Sequence, residues 1–291
     1  MLLRDFLLRI HLCQGIGIVG KTKIYQWLNQ HPTANVTLPS LEELIQIANV
    51  RGKNVTLFSS TYIQLMNDDR LVAKLVAGEE WLCICDEDYP LQLKEAYTPP
   101  LILFYRGNIK LLKTRLLGIV GARNATHYSM DVLRKLIPGP ISTQMTVVSG
   151  LAMGVDTWSH QCVIANQGRT IAVIGTGLDV VYPRMNSVLQ AQIGREHLLV
   201  TEYPNGTPGY RNHFPERNRI IAGLIETILV TEAKHHSGSL ITANLALQNN
   251  RNVLAVPGQI TSELSVGTNE LIAAGAKPVL HQNDILSEYI S

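Results

Sequence analysis

The sequence predicts an α/β protein: a parallel-rich sheet with helices on both faces, preceded by a small all-α N-terminal domain. Two observations carry that expectation. Short apolar runs recur along the second part of the chain, at Leu116 to Val120, Val147 to Ser149, Ile171 to Ile174, Ile228 to Val230 and Val253 to Val256. Continuous runs of this length mark strands buried on both sides, and the helical stretches between them supply the crossovers of a parallel sheet. Residues 1–75 instead place Leu2, Leu3, Phe6, Leu7 and Ile10, and later Leu41, Leu44, Ile45 and Ala48, at helical spacing. The expected division is a helical module over residues 1–75, of helix-hairpin-helix or sterile-alpha-motif-like type, a bridging segment over 76–109 and the α/β domain over 110–291.

Composition narrows the class. With 291 residues, 46% apolar and 16% charged, the chain can bury a full core, and two domains fit its length better than one. A membrane span is not expected, because no run of about twenty apolar residues occurs. The start, Met1 to Asp5, carries an acid and lacks a small-residue cleavage site, so a cytoplasmic protein without a secretory signal is expected. Cys13, Cys83, Cys85 and Cys162 have no zinc-like spacing and read as small buried hydrophobes. A net charge of +2 says little about partners by itself, whereas the distribution says more. Arg123, Arg184, Arg211, Arg217, Arg219 and Lys234, joined by His213, His235 and His236, all fall in or beside loops that follow strands. That placement gathers positive charge on one rim of the sheet.

Taken in order, the first helices flank Gly15-Ile16-Gly17-Ile18-Val19-Gly20-Lys21-Thr22, which fits both GxxxxGK[ST] and GxGxxG. A phosphate loop of that kind requires a strand before it inside a parallel sheet, and Leu82 to Glu87 would then resemble the magnesium-holding strand of such hydrolases. A helix-hairpin-helix turn explains the same letters more simply, its glycines closing the turn between two short helices. Thr33 to Pro39 reads as a polar connection between helices, and Ala77 to Glu80 as a hinge. In the bridging segment Asp88-Tyr89-Pro90 is a turn and Leu101 to Tyr105 a strand, entered through Pro99-Pro100 and left through Gly107-Asn108. A last short helix is expected from Asp284 to Tyr289.

The α/β part carries the chemistry. Leu116 to Val120 runs into Gly121-Ala122-Arg123, with a helix beginning at Asn124 or Thr126. A strand that ends at glycine and hands over to a helix start collects free N–H groups and the positive end of a helix dipole, which favours phosphate. Arg123 adds a forked guanidinium there. The device recurs at Ser149-Gly150 with Gly154, at Gly175-Thr176-Gly177, and at Lys234 to Ser239. Such corners lie at the carboxyl ends of the strands, where open α/β sheets bind their ligands. Ser149 and Ser237 to Ser239 are equally suited to capping helices. Asp156 stands at a helix start, where an acid is favoured electrostatically, and His160 one turn on is expected to pair with the interior. Of Arg217 and Arg219, which flank Asn218, one is expected to contact a polyanion and the other to brace the sheet through Glu202 or Glu232. The histidines show no ligand spacing, so no metal is expected, and a G-x-S-x-G elbow is absent.

Several of these strings stand together in one order: Gly121-x-Arg123-x-x-Thr126; Ser149-Gly150-x-Ala152-x-Gly154-x-Asp156; Gly175-x-Gly177-Leu178-Asp179-x-x-Tyr182-Pro183; and Phe214-Pro215-x-Arg217-Asn218-Arg219. Glu232-Ala233 with Ser237 to Thr242, Ala255 to Gly258 and Gly267-Thr268-Asn269 complete the set. Over residues 81–291 the chain resembles the DprA (Smf) family of DNA-processing proteins. The resemblance implies an extended Rossmann-like fold that binds single-stranded DNA without sequence preference, forms a homodimer and loads RecA recombinase during natural transformation, with neither enzymatic activity nor a cofactor. It also implies that Arg123 and Arg184 grip phosphate. Many members carry lysine where Arg184 stands, so charge is kept and geometry changes. With the corner geometry added, the expected DNA-binding set is Gly121, Arg123, Ser149, Gly150, Gly154, Gly175, Gly177, Arg184, Phe214, Arg217, Asn218, Arg219, Lys234, Ser237, Gly238 and Ser239, with base faces resting on residues such as Tyr182 or Phe214. The winged-helix domain of some members is not expected in a chain of this length. A rival reading is a nucleotide-metabolite-binding or phosphoribohydrolase-like enzyme, but Pro257-Gly258 is followed by Gln259-Ile260 rather than by the Gly-x-Gly-Thr such enzymes carry.

Overall fold

A computed structural model describes residues 1–31 and 38–289, so most of the connection expected at Thr33 to Pro39 lies outside the described residues. The chain forms two compact units, one of Met1–Tyr89 with Thr98–Phe104, the other of Pro90–Tyr97 with Tyr105 onward.

The first unit begins with α1 (Leu3–Leu12), α2 (Ile18–Gln30), α3 (Leu41–Ala48), α4 (Lys53–Asn67) and α5 (Asp69–Leu75), followed by strand β1 (Glu80–Cys83). Phe6, Leu7, Ile10, Ile24, Leu44 and Phe58 are fully buried and form its core. Helix α3 starts at a capping box: the Ser40 hydroxyl accepts from Glu43 N at 3.3 Å, and the Glu43 carboxylate accepts from Ser40 N at 2.8 Å. The glycine-rich string at Gly15 to Thr22 is the turn from α1 into α2. A helix precedes it, which removes the strand that a phosphate loop requires. Its two functional side chains are committed locally, Lys21 Nζ to His11 O at 2.7 Å and Thr22 Oγ1 to Ile18 O at 3.0 Å. Gly15 has φ +76° and lies so close to the α4 backbone that a Cβ would sit 2.6 Å from Asn54 O, so this turn needs glycine for packing as well as for its conformation.

After the short helix α6 (Leu91–Lys94) and β2 (Ile102–Gly107), the second unit is built on strands β3 (Leu116–Val120), β4 (Thr146–Ser149), β5 (Arg169–Ile174), β6 (Leu198–Thr201), β7 (Thr227–Val230), β8 (Asn252–Ala255) and β9 (Lys277–Pro278). They lie in the order β6-β5-β4-β3-β7-β8-β9, each pair of neighbours parallel. Every strand from β3 to β7 is buried along its length apart from Arg169, which is why the sequence shows apolar runs rather than alternation. The crossovers run through α7 (His127–Leu136), α8 (Pro138–Ser142), α9 (Val155–Ala165), α10 (Ser187–Glu196), α11 (His213–Leu224), α12 (Gly238–Gln248), α13 (Val266–Ala273) and α14 (Gln282–Leu286). Leu117 and Ile119 of β3 pack with Leu133, Val155, Val163 and Ile285, so α7, α9 and α14 cover one face. Gly118, on the opposite face of β3, abuts Ile225 and Ile228, and there α11 and α12 pack on each other and on the sheet.

The connection order reverses at β3. From β3 the chain moves to β4, β5 and β6 on one side, then returns to lay β7 and β8 on the other. That switch point opens a crevice at the carboxyl ends of β3, β4 and β7, where the loops carrying Arg123, Gly150 and Lys234 begin.

Candidate nucleic-acid interface

The crevice is a cleft of about 500 Å³. Its walls are the β3–α7 corner (Gly121 to Asn124), the first turns of α11 (Phe214, Arg217, Asn218) and the β7–α12 loop (Lys234 to Ser239). A smaller cleft adjoins it through Arg123, Phe214 and Arg217 and extends past Gly150, Met153 and Gly175 to Tyr182 and Pro183. The next residue is Arg184, exposed at the start of a short 3-10 turn. The structure therefore brings Arg123, Arg217, Phe214 and the Tyr182-Pro183-Arg184 loop to one end of the sheet.

Glycines set how closely the corners interlock. Gly154 has φ +75°, and a Cβ there would strike the backbone oxygens of Ala122 and Arg123, so the β4–α9 corner presses directly on the residues that carry the exposed arginine. Gly121 packs likewise beneath Val155 and Thr231. At Gly150 the space of a side chain is taken by the Arg217 guanidinium, whose Cζ would lie 2.5 Å from a Cβ. Arg217 is only 3% exposed and donates to Gly150 O and Val173 O, while its Nε donates to Asn218 Oδ1 at 3.1 Å. Arg219 is 7% exposed and forms an ion pair with buried Glu202. Both arginines lie below the surface. Glu202 thus takes the bracing role foreseen for it or Glu232. Glu232 instead receives Thr126 N at 2.8 Å, Thr126 Oγ1 at 2.7 Å and Ser129 Oγ at 2.8 Å, tying the start of α7 to the end of β7.

The other residues divide by depth. Ser149 is fully buried and donates to Ile119 O at 2.7 Å, neither capping a helix nor facing the cleft. Gly177 is wedged against Asp179 and Pro204, and Gly175 lies against Phe214 and the His213 backbone. Ser237 is the N-cap of α12, accepting from Leu240 N at 3.4 Å, with its hydroxyl 2.9 Å from that of Ser239. Ser237, Gly238 and Ser239 line the cleft, so an eleven-residue helix directs its N-terminus into it. Lys234 is exposed but held by Glu263 at 2.8 Å, and His235 by Glu270 at 2.8 Å. Asn218 Nδ2 approaches Gly238 O at 3.5 Å across the cleft.

Among the described residues, three exposed arginines of the loops that follow strands, Arg123, Arg184 and Arg211, have no acidic partner. Arg123 is exposed, with its guanidinium 5.7 Å from the Phe214 ring centroid, and neither it nor Arg184 has an acidic partner among the described residues. Beneath them Asp156 is buried in the first turn of α9. Burial pushes its carboxyl above the ordinary range, while the charge of Arg217 and the N–H groups of Ala152 and Gly150 pull it down. Burial likewise lowers Arg217 to about 10, with Asp156 opposing, so the guanidinium stays charged at neutral pH. His160 is fully buried, its Nδ1 2.6 Å from Thr170 Oγ1. Among the described residues no group of histidines, cysteines or acids is placed to hold a metal ion, and no helix is long and apolar enough to cross a membrane.

Spacing alone did not single out Asn186. It is 3% exposed and donates to Leu151 O at 2.9 Å and Thr157 Oγ1 at 2.8 Å, which fixes the Arg184 loop on the β4–α9 corner. A polar residue two places after an arginine in a loop gives no periodic signal. Asn124, His236 and Thr242 also line the cleft; the sequence placed His236 on the same rim but put none of the three in the expected DNA-binding set.

Fold and site together define an α/β protein whose parallel sheet presents a cation-bearing cleft at its switch point. Residues 80–290 match the family described as DNA recombination-mediator protein A, and the chain belongs to that DprA/Smf family of proteins in DNA recombination. It is 43% identical over 244 residues to DNA processing protein DprA of Streptococcus pneumoniae, covering 84% of this chain and 86% of that one. With the DprA of Bacillus subtilis it shares 37% over 280 residues, 95% and 93% of the two chains. The X-ray structure of the S. pneumoniae protein superposes with a TM-score of 0.87 at 37% identity, covering 99% and 98% of the two chains. DNA processing protein A of Helicobacter pylori, solved for its single-stranded DNA binding mode, gives a TM-score of 0.66 at 27% identity over 73% of this chain and 95% of that one.

Proposed function

We propose that this chain is a cytoplasmic, non-enzymatic protein that binds single-stranded DNA without sequence preference, protects it, and as a homodimer loads RecA recombinase onto it. The observation that carries the DNA reading is the pair of exposed guanidinium groups, Arg123 and Arg184, without acidic partners among the described residues, at the end of the sheet where α12 directs its N-terminus. Phosphate is the ligand that suits a helix start and an unpaired arginine together. The H. pylori relative, which binds single-stranded DNA, supports the choice of strand. Contacts made mainly to phosphate position a strand without reading it, and here few side chains reach outward to read base edges.

In this assignment Arg123, Arg184, Asn218, Lys234 and the Ser237-Gly238-Ser239 turn face the backbone of the strand. Arg217, Arg219, Ser149, Gly150, Gly154 and Gly177 hold that surface in shape from beneath. Phe214 supports Arg123 from below and packs at a tilt against Tyr182, their ring centroids 4.9 Å apart. The homodimer and RecA parts rest on membership of the family.

The test is a gel-shift comparison of single-stranded with double-stranded DNA, in unrelated sequences, across a salt series. The expected result is tighter binding of single strands, nearly equal among sequences and falling steeply with salt. Equal binding of duplex and single strand, or a strong preference for one sequence, contradicts it.

A further inference from the structure

The reading of the cleft as a strand-binding site leaves unexplained a set of exposed apolar side chains beside it. Met153 and Tyr182, 42% and 46% exposed, wall the smaller cleft together with Arg123. Arg184 follows two residues after Tyr182, Met185 is 74% exposed, and Val188, three residues further along, is 80% exposed. Arg184 therefore has apolar groups before and after it.

Tyr182 and Met185 lie on the loop before α10, Val188 in the first turn of α10 and Met153 on the β4–α9 corner, and the loop is anchored to both. Asn186 is pinned to Leu151 and Thr157, and Val180 O accepts from Thr176 Oγ1 at 3.0 Å and from Gln190 Nε2 at 3.1 Å. Single exposed apolar residues on a protein surface need no explanation. Four on one anchored loop, the helix turn that follows it and the adjoining corner, bordered by the guanidinium groups of Arg123 and Arg184, form a surface with two chemistries side by side. Its occupant must offer negative charge to Arg123 and Arg184 and apolar faces to the side chains between and beyond them. A single-stranded nucleic acid has that composition along its length. A duplex offers the charge, but its base faces are already stacked on one another.

We propose that Met153, Tyr182, Met185 and Val188 form a shelf on which the bases of the strand rest, and that this shelf selects single strands over duplex. The proposal rests on the strand-binding reading of the cleft. It separates two roles: the arginines set affinity and its salt dependence, and the shelf sets the preference for unstacked bases. Tyr182 supplies a ring that any base can stack on, while the methionines and the valine supply pliable apolar surface without a hydrogen-bonding pattern, which suits a site indifferent to sequence.

The test compares binding of a thymidine oligonucleotide with that of an abasic phosphodiester oligomer of equal length, by fluorescence anisotropy at several salt concentrations. The proteins are the parent, the double variant Met185→Ser with Val188→Ser, and Tyr182→Ala. Met185 and Val188 are largely exposed and Tyr182 is about half exposed, so the variants are expected to keep the fold, which a melting curve checks. The parent is expected to favour the base-bearing strand by about tenfold or more, the lower range for stacking one or two bases. Each variant is expected to lose most of that preference, bind the abasic oligomer as the parent does, and keep the parent's salt slope on both. If the variants retain the parent's preference, or if the parent binds both oligomers equally while still binding tightly, the shelf is overturned and the phosphate-binding cleft stands. If the parent binds neither oligomer, the strand-binding reading falls and the shelf falls with it.

Discussion

Arg217 and Arg219 show what the sequence conveys about single residues and what it does not. Their charge and their place after a strand are legible, yet both side chains face inward. Periodicity could not reveal this, because every residue of α11 from Ile220 to Leu224 is also buried and the helix has no solvent stripe in that half. Each arginine has its own structural task, and each predicts a loss of stability. Arg219→Met leaves the Glu202 carboxylate buried without its counter-charge, which costs about 3–5 kcal/mol where a buried pair is broken from one side. Arg217→Met strips donors from Gly150 O and Val173 O and the counter-charge from Asp156, and a lowered melting temperature is expected for it as well. Thermal melts check both, and a variant as stable as the parent contradicts the assignment. His160 gives a pH dependence. Burial, then the charges of His197 and Arg217, depress its pKa to about 3 from an ordinary 6.5. The unfolded chain therefore binds a proton that the folded one refuses between those values, and stability falls as pH drops through that window, by about 1.4 kcal/mol per pH unit from this group. Denaturant titrations from neutral to acid pH are expected to show that slope, shallower by about one proton in His160→Gln.

Among the elements, β3, β4, β5, β7 and β8 were legible as buried apolar runs that end in small or polar turns, and Thr126 marked the start of α7, whose Tyr128 N it caps at 3.2 Å. Strand β6 escaped notice because only His197 separates it from the end of α10, so no turn residues announce it, and β9 is two residues long. The glycine string before α2 misled in the other direction. Its letters fit a phosphate loop, and only the helix in front of it decides against that reading. One prediction belongs to the β7–α12 loop. Lys234 is tied to Glu263 on the 3-10 turn before α13, an exposed pair that competes with a phosphate for the same ammonium group. Exposed pairs are worth about 1 kcal/mol at most, so Glu263→Gln is expected to tighten binding to single-stranded DNA by about twofold to fivefold at low salt. An unchanged or weaker dissociation constant shows that Lys234 does not face the strand.

For the whole molecule, a net charge of +2 conceals an asymmetry that topology creates. Reversal of strand order at β3 draws the loops after β3, β4, β5 and β7 to one end of the sheet, and those loops hold Arg123, Arg184 and Lys234. The sequence placed the charges after strands and expected them on one rim; that they share one end follows from strands β3 to β9 being parallel. Opposite charges elsewhere neutralise one another in local pairs such as Arg134 with Asp131 and Arg195 with Glu196, while Arg123 and Arg184 contribute uncompensated charge to the field at the cleft. The most direct measurement is the salt dependence of single-stranded DNA affinity for the parent and for Arg123→Ala, Arg184→Ala and their combination. Each substitution is expected to lower affinity by about tenfold at moderate salt for every sequence tried, and to reduce the slope of log affinity against log salt by about 0.7. Single-arginine variants that bind as tightly as the parent, with its slope unchanged, contradict the account.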